Sequence, residues 1–206
     1  MSKMVNELIE EGYLKSDVVI DAFSNISRIE FVPKELELEA EANIALPIGY
    51  GQTISQPLVV AFMLELLEPK QGQKIMDIGS GSGWTTALLS YIVGEGDKVI
   101  AIERIPELEK FGKENVDKFG FITKGIAEFH NVDGSLGYPE EAPFDRILVS
   151  ASAMEIPEAL KDQVKVGGKI VIPTKNSIIY LEKQEDNTFF REEFPGFTFV
   201  PLVINK

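Results

Sequence analysis

The chain has 206 residues, a formal net charge of −13, 44% hydrophobic residues, one histidine and no cysteine. The missing cysteines exclude disulfides, thiolate zinc sites and cysteine nucleophiles, and the acidic charge argues against a nucleic-acid partner, because binding a phosphate backbone needs clustered lysine and arginine. No apolar run reaches the roughly 18 residues of a membrane span and the N-terminus lacks the apolar core of a signal peptide, so we expect a cytoplasmic protein with no membrane contact.

Helices and a loop are predicted for residues 1–70. Apolar side chains at helical spacing predict a first helix that stops at Gly12, and Ser16 can cap a second helix. Residues 43–57 mix polar side chains with glycines and prolines, which indicates a loop with short extended pieces. A further helix is predicted over 57–67, because proline suits the first turn of a helix.

Strand and helix patterns alternate along residues 71–206. Alternation at this spacing predicts βαβ units and a parallel sheet with helices on both faces. Two further strand patterns flank an Asp186-Asn187 turn and predict an antiparallel hairpin at the C-terminal edge of the sheet. We therefore expect an α/β fold in one domain over 1–206. The predicted strands are 74–78, 98–102, 126–132, 146–149, 169–173, 177–183 and 189–194, and the predicted helices are 84–93, 106–118 and 157–164.

A glycine-rich segment follows the first of these strands, where a helix pattern begins. Gly79, Gly81 and Gly83 alternate with serines, and Asp77 stands just ahead of them. Glycine permits positive φ and lets backbone N–H groups approach a ligand that a Cβ would hold off. A dinucleotide loop has its third glycine one residue later, whereas an acid before the loop suits a cofactor with a cationic amine, such as S-adenosylmethionine. A plain turn is the alternative to a cofactor loop.

Polar residues also stand at the ends of the following strands. Glu103 ends the second strand, where an acid can accept hydrogen bonds from ribose hydroxyls. Asp133-Gly134 follows the third strand and Ser150-Ala151-Ser152 the fourth. Because ligands bind outside the carboxyl ends of parallel strands, we expect these residues to share one site. Taken singly, Glu103 and Arg104 could be a surface pair, and Asp133-Gly134 is a common turn dipeptide.

Together these motifs resemble a known family. The chain resembles the protein-L-isoaspartate (D-aspartate) O-methyltransferases over nearly its whole length, with the motifs in family order. The most specific match is residues 44–57, which are similar to the family's signature loop almost throughout. The chain departs from the family pattern at Glu41-Ala42 and at Asn131-Val132. The further matches are Arg28 with Phe31-Val32-Pro33, the glycine-rich segment 79–83, Glu103-Arg104-Ile105, Asp133-Gly134, residues 142–145, Ile156-Pro157, Gly167-Gly168, Ile172-Pro173 and residues 199–202.

The resemblance implies a Rossmann-like class I methyltransferase fold that uses S-adenosyl-L-methionine and releases S-adenosyl-L-homocysteine. Its partners would be isoaspartyl-containing proteins and peptides, methylated on the free α-carboxylate to initiate repair. We expect no metal and a monomer, and Ser55 would be the catalytic residue. The implied substrate-binding residues are Thr53, Ile54, Ser55, Gln56, Val200, Pro201 and Leu202. The implied cofactor-binding residues are Asp77, Gly79, Ser80, Gly81, Gly83, Trp84, Glu103, Arg104, Asp133 and Gly134.

The residue types fit this chemistry. A carboxylate with a pKa of about 4 is ionised at neutral pH and is already the nucleophile, so no general base is needed and His130 is expected to be structural. Ser55 stands just before a predicted helix start, where N–H groups and the helix dipole favour an anion. The alternative for Ser55 is a helix cap. Trp84 can contact the cofactor or pack in the core.

Three other functions stay open. A methyltransferase of the same fold could act on another acceptor, such as a carboxylate of a natural-product peptide or a tRNA base, although the acidic charge disfavours tRNA. A nicotinamide oxidoreductase is disfavoured by the glycine spacing, and binding of S-adenosylhomocysteine but not NAD would exclude it. A non-catalytic protein would bind the cofactor tightly without transferring a methyl group.

Overall fold

The computed structural model describes residues 1–96 and 98–202. The helices are α1 (Lys3–Glu10), α2 (Asp17–Asn25), α3 (Pro57–Leu67), α4 (Trp84–Val93), α5 (Pro106–Asp117) and α6 (Glu158–Gln163). The strands are β1 (Leu46–Gly49), β2 (Gln52–Ile54), β3 (Ile75–Ile78), β4 (Val99–Ile102), β5 (Ala127–His130), β6 (Phe144–Val149), β7 (Val164–Thr174), β8 (Ser177–Lys183) and β9 (Phe189–Pro195). None of the helices in these two ranges is long and apolar enough to cross a membrane.

Seven strands form one sheet in the order β5-β4-β3-β6-β7-β8-β9, and β1 and β2 form a separate antiparallel hairpin. The first five strands of that order run parallel, whereas β8 is antiparallel to β7 and β9 is antiparallel to β8. This arrangement confirms the predicted α/β fold with an antiparallel C-terminal edge. The chain extends the sheet from β3 to β5 on one side and places β6 on the other side of β3. A crevice for ligands forms at the carboxyl ends of strands where the order reverses in this way.

Side chains of β3 and β4 alternate between two apolar clusters on the two faces of the sheet. Ile75 and Val99 belong to the cluster that includes residues of α1 to α5, whereas Met76 and Ile100 belong to the cluster that contains Leu160 of α6. Every residue of both strands is buried. Since each fully buried aliphatic side chain contributes about 1.5–3 kcal/mol, both faces stabilise the two strands whose ends form the crevice.

Two local predictions are confirmed only in part. The strand predicted at 169–173 is β7, which begins at Val164 and includes the glycine pair. Gly167 has a φ of +73°, and the pairing of β7 with β6 shifts register near it, because glycine permits a bulge that other residues resist. Ser16 stands at the start of α2 but makes no side-chain cap bond, since its hydroxyl donates to Oε1 of Glu65 at 3.1 Å.

The two edge strands of the sheet are unlike. β5 is four residues long and ends one edge. β9 is seven residues long, ends the other edge, and exposes the charged side chains of Arg191, Glu192 and Glu193. The hairpin of β8 and β9 turns at Asp186 and Asn187 as predicted, and Asn187 has a φ of +63°.

The glycine loop, residues 79–83, packs directly against helix α5. A Cβ on Gly112 of α5 would lie 2.6 Å from the carbonyl oxygen of Gly81, and a Cβ on Gly83 would lie 2.7 Å from the carbonyl oxygen of Gly112. Side-chain carbon atoms are not accommodated at such distances from a backbone oxygen. The Nδ2 of Asn115 also donates to the carbonyl oxygen of Ser82 at 3.0 Å. Helix α5 therefore fixes the path of the loop.

We predict that Gly112→Ala destabilises the protein. The same change in an exposed helix interior would stabilise it by about 1 kcal/mol. Here the new methyl group meets the loop backbone, and we expect the free energy of unfolding to fall by about 1–3 kcal/mol. Urea denaturation measures the change, and Lys113→Ala, at an exposed position of the same helix, serves as the control. A Gly112→Ala variant as stable as the control would contradict the close packing.

Candidate active site

A cavity of about 280 Å³ lies at the carboxyl ends of β3, β4 and β6. Its walls include residues from both the loop around β2 and the loop after β3, which are far apart in the sequence. The predicted site residues that line it are Thr53, Ile54, Ser55, Gly79, Ser80, Gly81, Trp84, Glu103, Arg104, Gly134, Val200, Pro201 and Leu202. The other predicted residues, Gln56, Asp77, Gly83 and Asp133, are not part of this lining.

The glycine loop adopts the conformation that its sequence predicts. Gly79, Gly81 and Gly83 have φ values of +77°, +53° and +88°, which side chains rarely permit. The N–H groups of Gly79 and Ser80 donate to the carbonyl oxygen of Ile102 at 2.8 and 3.2 Å. The hydroxyl Oγ of Ser80 is buried and has no hydrogen-bond partner among the described residues. The loop thus forms part of the cavity wall and contains one buried hydroxyl without a partner among the described residues. Gly83 does not line the cavity because it faces α5.

Glu103 stands at the carboxyl end of β4 and is only 6% exposed. Its Oε2 accepts a hydrogen bond from the N–H of Gly81 at 3.0 Å, and its Oε1 accepts one from the N–H of Ile105, also at 3.0 Å. The Nδ2 of Asn131 donates to the main-chain oxygen of Glu103 at 2.8 Å. These contacts hold the carboxylate against the cavity wall, whereas Arg104 is exposed beside it. The surface-pair reading of Glu103 therefore does not describe its place in the fold.

Asp77 is fully buried outside the cavity lining, so it is not placed for direct contact with a bound cofactor. Its Oδ2 accepts hydrogen bonds from the hydroxyls of Thr85 at 2.8 Å and Thr86 at 2.6 Å, which belong to the first turn of α4. Its Oδ1 has no partner among the described residues. Burial raises the pKa of Asp77 to about 6, although the two hydroxyls lower it. Asp77 therefore anchors α4 behind the glycine loop.

Asp133 is also outside the cavity lining. Its Oδ1 accepts from the N–H of Ser135 at 2.9 Å and from the hydroxyl of Ser135 at 2.7 Å, which caps the short 3₁₀ turn Gly134–Leu136. The side chain bonds along its own turn, and only Gly134 reaches the wall. A Cβ on Gly134 would lie 2.3 Å from Cγ2 of Ile78, so glycine is required for this close approach. The turn reading of Asp133-Gly134 accounts for the Asp133 side chain.

Ser55 lies half-buried in the cavity wall between β2 and α3. Helix α3 begins at Pro57 as predicted, with Gln56 as its N-cap residue and no side-chain cap bond. The cap reading of Ser55 is therefore wrong. Gln56 lies outside the cavity lining and its carbonyl oxygen accepts from the N–H groups of Val59 and Val60 at 3.0 and 3.1 Å. Ser55 has the freedom to direct its hydroxyl toward a ligand.

The C-terminal segment, residues 196–202, closes another wall of the cavity. The N–H of Ser152 donates to the carbonyl oxygen of Val200, and the N–H of Leu202 donates to the carbonyl oxygen of Ser152, both at 2.8 Å. The ring of Phe197 stacks on Phe62 of α3 with centroids 5.2 Å apart. These contacts bring residues 200–202 to the same cavity as Ser55.

Comparison with known proteins identifies the family. The family model described as Protein-L-isoaspartate(D-aspartate) O-methyltransferase matches residues 1–206. The chain belongs to this family. The protein-L-isoaspartate O-methyltransferase of Methanopyrus kandleri is 43% identical over 207 residues, which cover 98% of this chain and 90% of the relative. That of Aeropyrum pernix is 40% identical over 205 residues, which cover 98% and 78%.

Solved structures share the fold of this isoaspartate O-methyltransferase family member. A Plasmodium falciparum protein of the same description, solved in complex with S-adenosyl-L-homocysteine, has a TM-score of 0.85 and 24% identity, covering 98% of this chain and 97% of that chain. Another protein-L-isoaspartate O-methyltransferase has a TM-score of 0.86 and 27% identity, covering 97% of this chain and 64% of that chain. Both likenesses support the predicted class I methyltransferase fold.

Sequence reasoning missed several residues of the cavity in this methyltransferase. They include apolar residues of β1, β3 and β4 and polar residues of the glycine loop and α4, namely Ile48, Ile78, Ile102, Ser82 and Thr85. Ile78 ends β3 at the point of reversal and Ile102 ends the neighbouring strand β4, so the strand-end rule could have found them. Trp84 is placed for both core packing and cofactor contact. It is 2% exposed and packs edge to face on Phe23 at 5.4 Å, and it also lines the cavity.

The raised pKa of Asp77 predicts a pH-dependent stability. Because the folded pKa of about 6 lies above the ordinary value of 3.8, the contribution of this group is fully present below about pH 4 and is lost as the pH rises through 6. Asp77→Asn removes the charge and keeps an oxygen that can accept from the two threonines. We expect its stability gain over the parent to grow between about pH 4 and pH 7, reaching on the order of 3 kcal/mol.

Urea denaturation over this pH range measures the difference in free energy of unfolding between Asp77→Asn and the parent. Groups that titrate alike in both proteins do not contribute to this difference. Asp77→Ala is the control, because it leaves the hydroxyls of Thr85 and Thr86 without their acceptor. We expect it to be less stable than Asp77→Asn at every pH. A difference between Asp77→Asn and the parent that does not change with pH would contradict the assigned pKa.

Proposed function

We propose that this protein transfers the methyl group of S-adenosyl-L-methionine to the free α-carboxylate of L-isoaspartyl residues in damaged proteins and peptides, which initiates their repair. The observation that carries the proposal is the single cavity that joins the glycine loop and Glu103 to Ser55 and residues 200–202. The family to which the chain belongs supports the same reaction. The cytoplasmic location and the monomeric state stay predictions.

The residues of the cavity fit S-adenosyl-L-methionine. The positive φ values of the glycine loop expose backbone that a Cβ would cover, and the buried Oγ of Ser80 lacks a protein partner. Glu103 is held against the wall with oxygens suited to ribose hydroxyls. Trp84 offers a ring edge or face to an adenosyl or methionyl group. When bound, the cofactor supplies an electrophilic methyl group on a positively charged sulfur.

The acceptor carboxylate needs no general base among the residues around it. An α-carboxylate with a pKa of about 4 is ionised at neutral pH, so the acceptor oxygen is already nucleophilic. Among the described residues of the cavity lining, the titratable side chains are Glu103 and Arg104, and neither stands in the Ser55 loop. The hydroxyl of Ser55 donates a hydrogen bond to the acceptor carboxylate and so orients it. Orientation is the main requirement of a reaction whose two reactants need only be held in line. His130 lies outside the lining, stacked on Tyr138 at 4.1 Å.

Substrate geometry gives the decisive test of this function. An isoaspartyl linkage presents its α-carboxylate on a short branch, whereas an aspartyl residue holds its carboxylate one carbon further from the main chain. Because a displacement of about 1 Å can reduce the rate about a hundredfold, we expect a preference of that order for the isoaspartyl peptide. The assay pairs two peptides that differ only in this linkage with methyl-labelled S-adenosylmethionine. The label should be released by mild base, as an ester requires.

Equal labelling of the two peptides, or a base-stable product, would contradict the isoaspartyl assignment and leave a methyltransferase for another acceptor. A tRNA acceptor is disfavoured by the net charge of −13. Tight binding of S-adenosylhomocysteine without labelling of either peptide would favour a binding role.

Ser55→Ala should slow methyl transfer without weakening cofactor binding. The hydroxyl lines the acceptor side of the cavity and caps no helix, so its loss should leave the melting temperature unchanged. We expect kcat/KM for the isoaspartyl peptide to fall about tenfold or more, as for the loss of one charged hydrogen bond of about 1.5–3 kcal/mol. Steady-state rates, calorimetric titration with S-adenosylhomocysteine and thermal denaturation together measure this. Full activity would remove Ser55 from the site.

Glu103→Ala should weaken cofactor binding while the protein stays folded. The variant loses an acceptor for the ribose and also the bonds that Glu103 accepts from Gly81 and Ile105. We expect the affinity for S-adenosylhomocysteine to fall about ten- to a hundredfold. Glu107→Ala removes the same charge at an exposed position of α5 and is the control for calorimetric titration. Equal affinities of the two variants would exclude Glu103 from the cofactor site.

A further inference from the structure

Arg28 is a buried cation close to the acceptor side of the cavity. It lies on the 3₁₀ turn Arg28–Phe31 and is 1% exposed. No carboxylate among the described residues forms an ion pair with it, and its Nε has no hydrogen-bond partner there. Desolvation by burial lowers the pKa of Arg28 to about 10, so the guanidinium stays charged at neutral pH. A buried charge without a counter-ion is costly unless hydrogen bonds compensate for the lost hydration.

The guanidinium of Arg28 donates to four main-chain oxygens of the segment that carries Ser55. Its Nη1 donates to the carbonyl oxygens of Ala40 at 2.9 Å and Ala42 at 3.3 Å. Its Nη2 donates to those of Ile44 at 2.9 Å and Ser55 at 3.1 Å. Three of these oxygens precede the β1–β2 hairpin and that of Ser55 follows it, so one side chain joins the two segments that flank the hairpin.

We propose that Arg28 is a positioning residue for methyl transfer, which fixes the main chain of Ser55 so that the acceptor carboxylate is held in line for reaction. This inference rests on the proposed function, because it concerns the acceptor of that same reaction. Arg28 does not line the cavity and acts through Ser55.

The bond from Arg28 to Ser55 also orients and polarises a peptide unit. The carbonyl oxygen of Ser55 and the N–H of Gln56 belong to the same trans peptide, so the N–H points away from Arg28. This N–H makes no hydrogen bond to the described residues. A charge-assisted bond at the oxygen strengthens the donor at the other end of the unit. Arg28 therefore places a positive charge, and through the Ser55 peptide unit the strengthened N–H donor of Gln56, close to the loop that is proposed to bind the acceptor carboxylate.

Arg28 also links the acceptor loop to the cofactor side of the cavity. Its Cζ lies 5.4 Å from the centroid of the Trp84 ring, and Trp84 lines the cavity directly after the glycine loop. In-line transfer requires the acceptor oxygen, the methyl carbon and the sulfur to keep one relative position. Arg28 contacts both the main chain of the acceptor loop and Trp84 at the start of α4, which helps to maintain that position.

The planar fork of arginine is essential to this arrangement. Two terminal nitrogens reach two pairs of oxygens at once, whereas the ammonium of lysine is one point charge that cannot hold both pairs. Arg28→Lys therefore keeps the charge and loses the geometry. The chain offers a matched control in Arg146, which is 7% exposed and also donates to main-chain oxygens, those of Leu67 at 2.7 Å and Asp145 at 2.8 Å. Arg146 lies outside the cavity lining.

The test compares Arg28→Lys with Arg146→Lys in the full-length protein, using the isoaspartyl peptide and S-adenosylmethionine. Both changes should lower the melting temperature. We expect only Arg28→Lys to depress kcat/KM by about tenfold or more, because a small misplacement of the acceptor costs rate out of proportion to stability. Arg28→Gln, which is neutral and donates to fewer oxygens, should depress it as well and serves if the lysine variant does not fold. Equal relative rates for the Arg28 and Arg146 variants, at temperatures where both are folded, would overturn the inference.

A double-mutant cycle with Ser55→Ala tests whether Arg28 acts through Ser55. If it does, the loss of rate in the Arg28→Lys and Ser55→Ala double variant should be smaller than the product of the two single losses, whereas independent effects would multiply. Multiplied losses would overturn the inference. Absence of isoaspartyl labelling by the unmodified protein would overturn the proposed function and this inference with it. An active parent combined with an unaffected Arg28 variant overturns the inference only.

Discussion

Backbone lies directly against backbone where the glycine loop crosses helix α5. The carbonyl oxygen of Gly81 fills the space that a Cβ on Gly112 would need, and the carbonyl oxygen of Gly112 fills the space that one on Gly83 would need. This mutual contact sets the distance between β3, the loop and α5. The N–H of Gly81 can then donate to Glu103, and this bond ties the glycine loop to the end of β4 on the cofactor side of the cavity. On the acceptor side, the hydrogen bonds of Arg28 to main-chain oxygens hold the segment that carries Ser55.

Buried charge is distributed unevenly around the cavity. Asp77 and Glu103 are acids on the cofactor side, and the proximity of Glu103 contributes to the raised pKa of Asp77 after the larger effect of burial. Arg28 is a cation on the acceptor side, with its pKa lowered by desolvation. A cationic sulfonium is favoured beside the acids and an anionic carboxylate beside the guanidinium. The fold thus arranges two opposite fields across one cavity, at the expense of stability at each buried charge.

The strands and helices of the core were predictable because their apolar patterns are regular and their ends carry proline or glycine. Helix α4 begins and ends where the sequence predicts, and the reversal of strand order led to the site. Direction of side chains was less predictable. Asp77 and Asp133 were placed in the site by their positions at strand ends, yet each accepts hydrogen bonds from neighbouring hydroxyls through one carboxylate oxygen. The contacts of Arg28 depend on an irregular segment whose path no periodicity encodes.

The charged edge of the sheet affects how this protein interacts with unfolded chains. A locally unfolded chain offers unpaired backbone that can add to an open sheet edge. The outer strand β9 exposes Arg191, Glu192 and Glu193, and β5 at the other edge is only four residues long. Short or charged edge strands disfavour pairing with a foreign chain. Both edges therefore disfavour the addition of a substrate segment as an extra strand, which leaves the cavity as the place where such a segment binds.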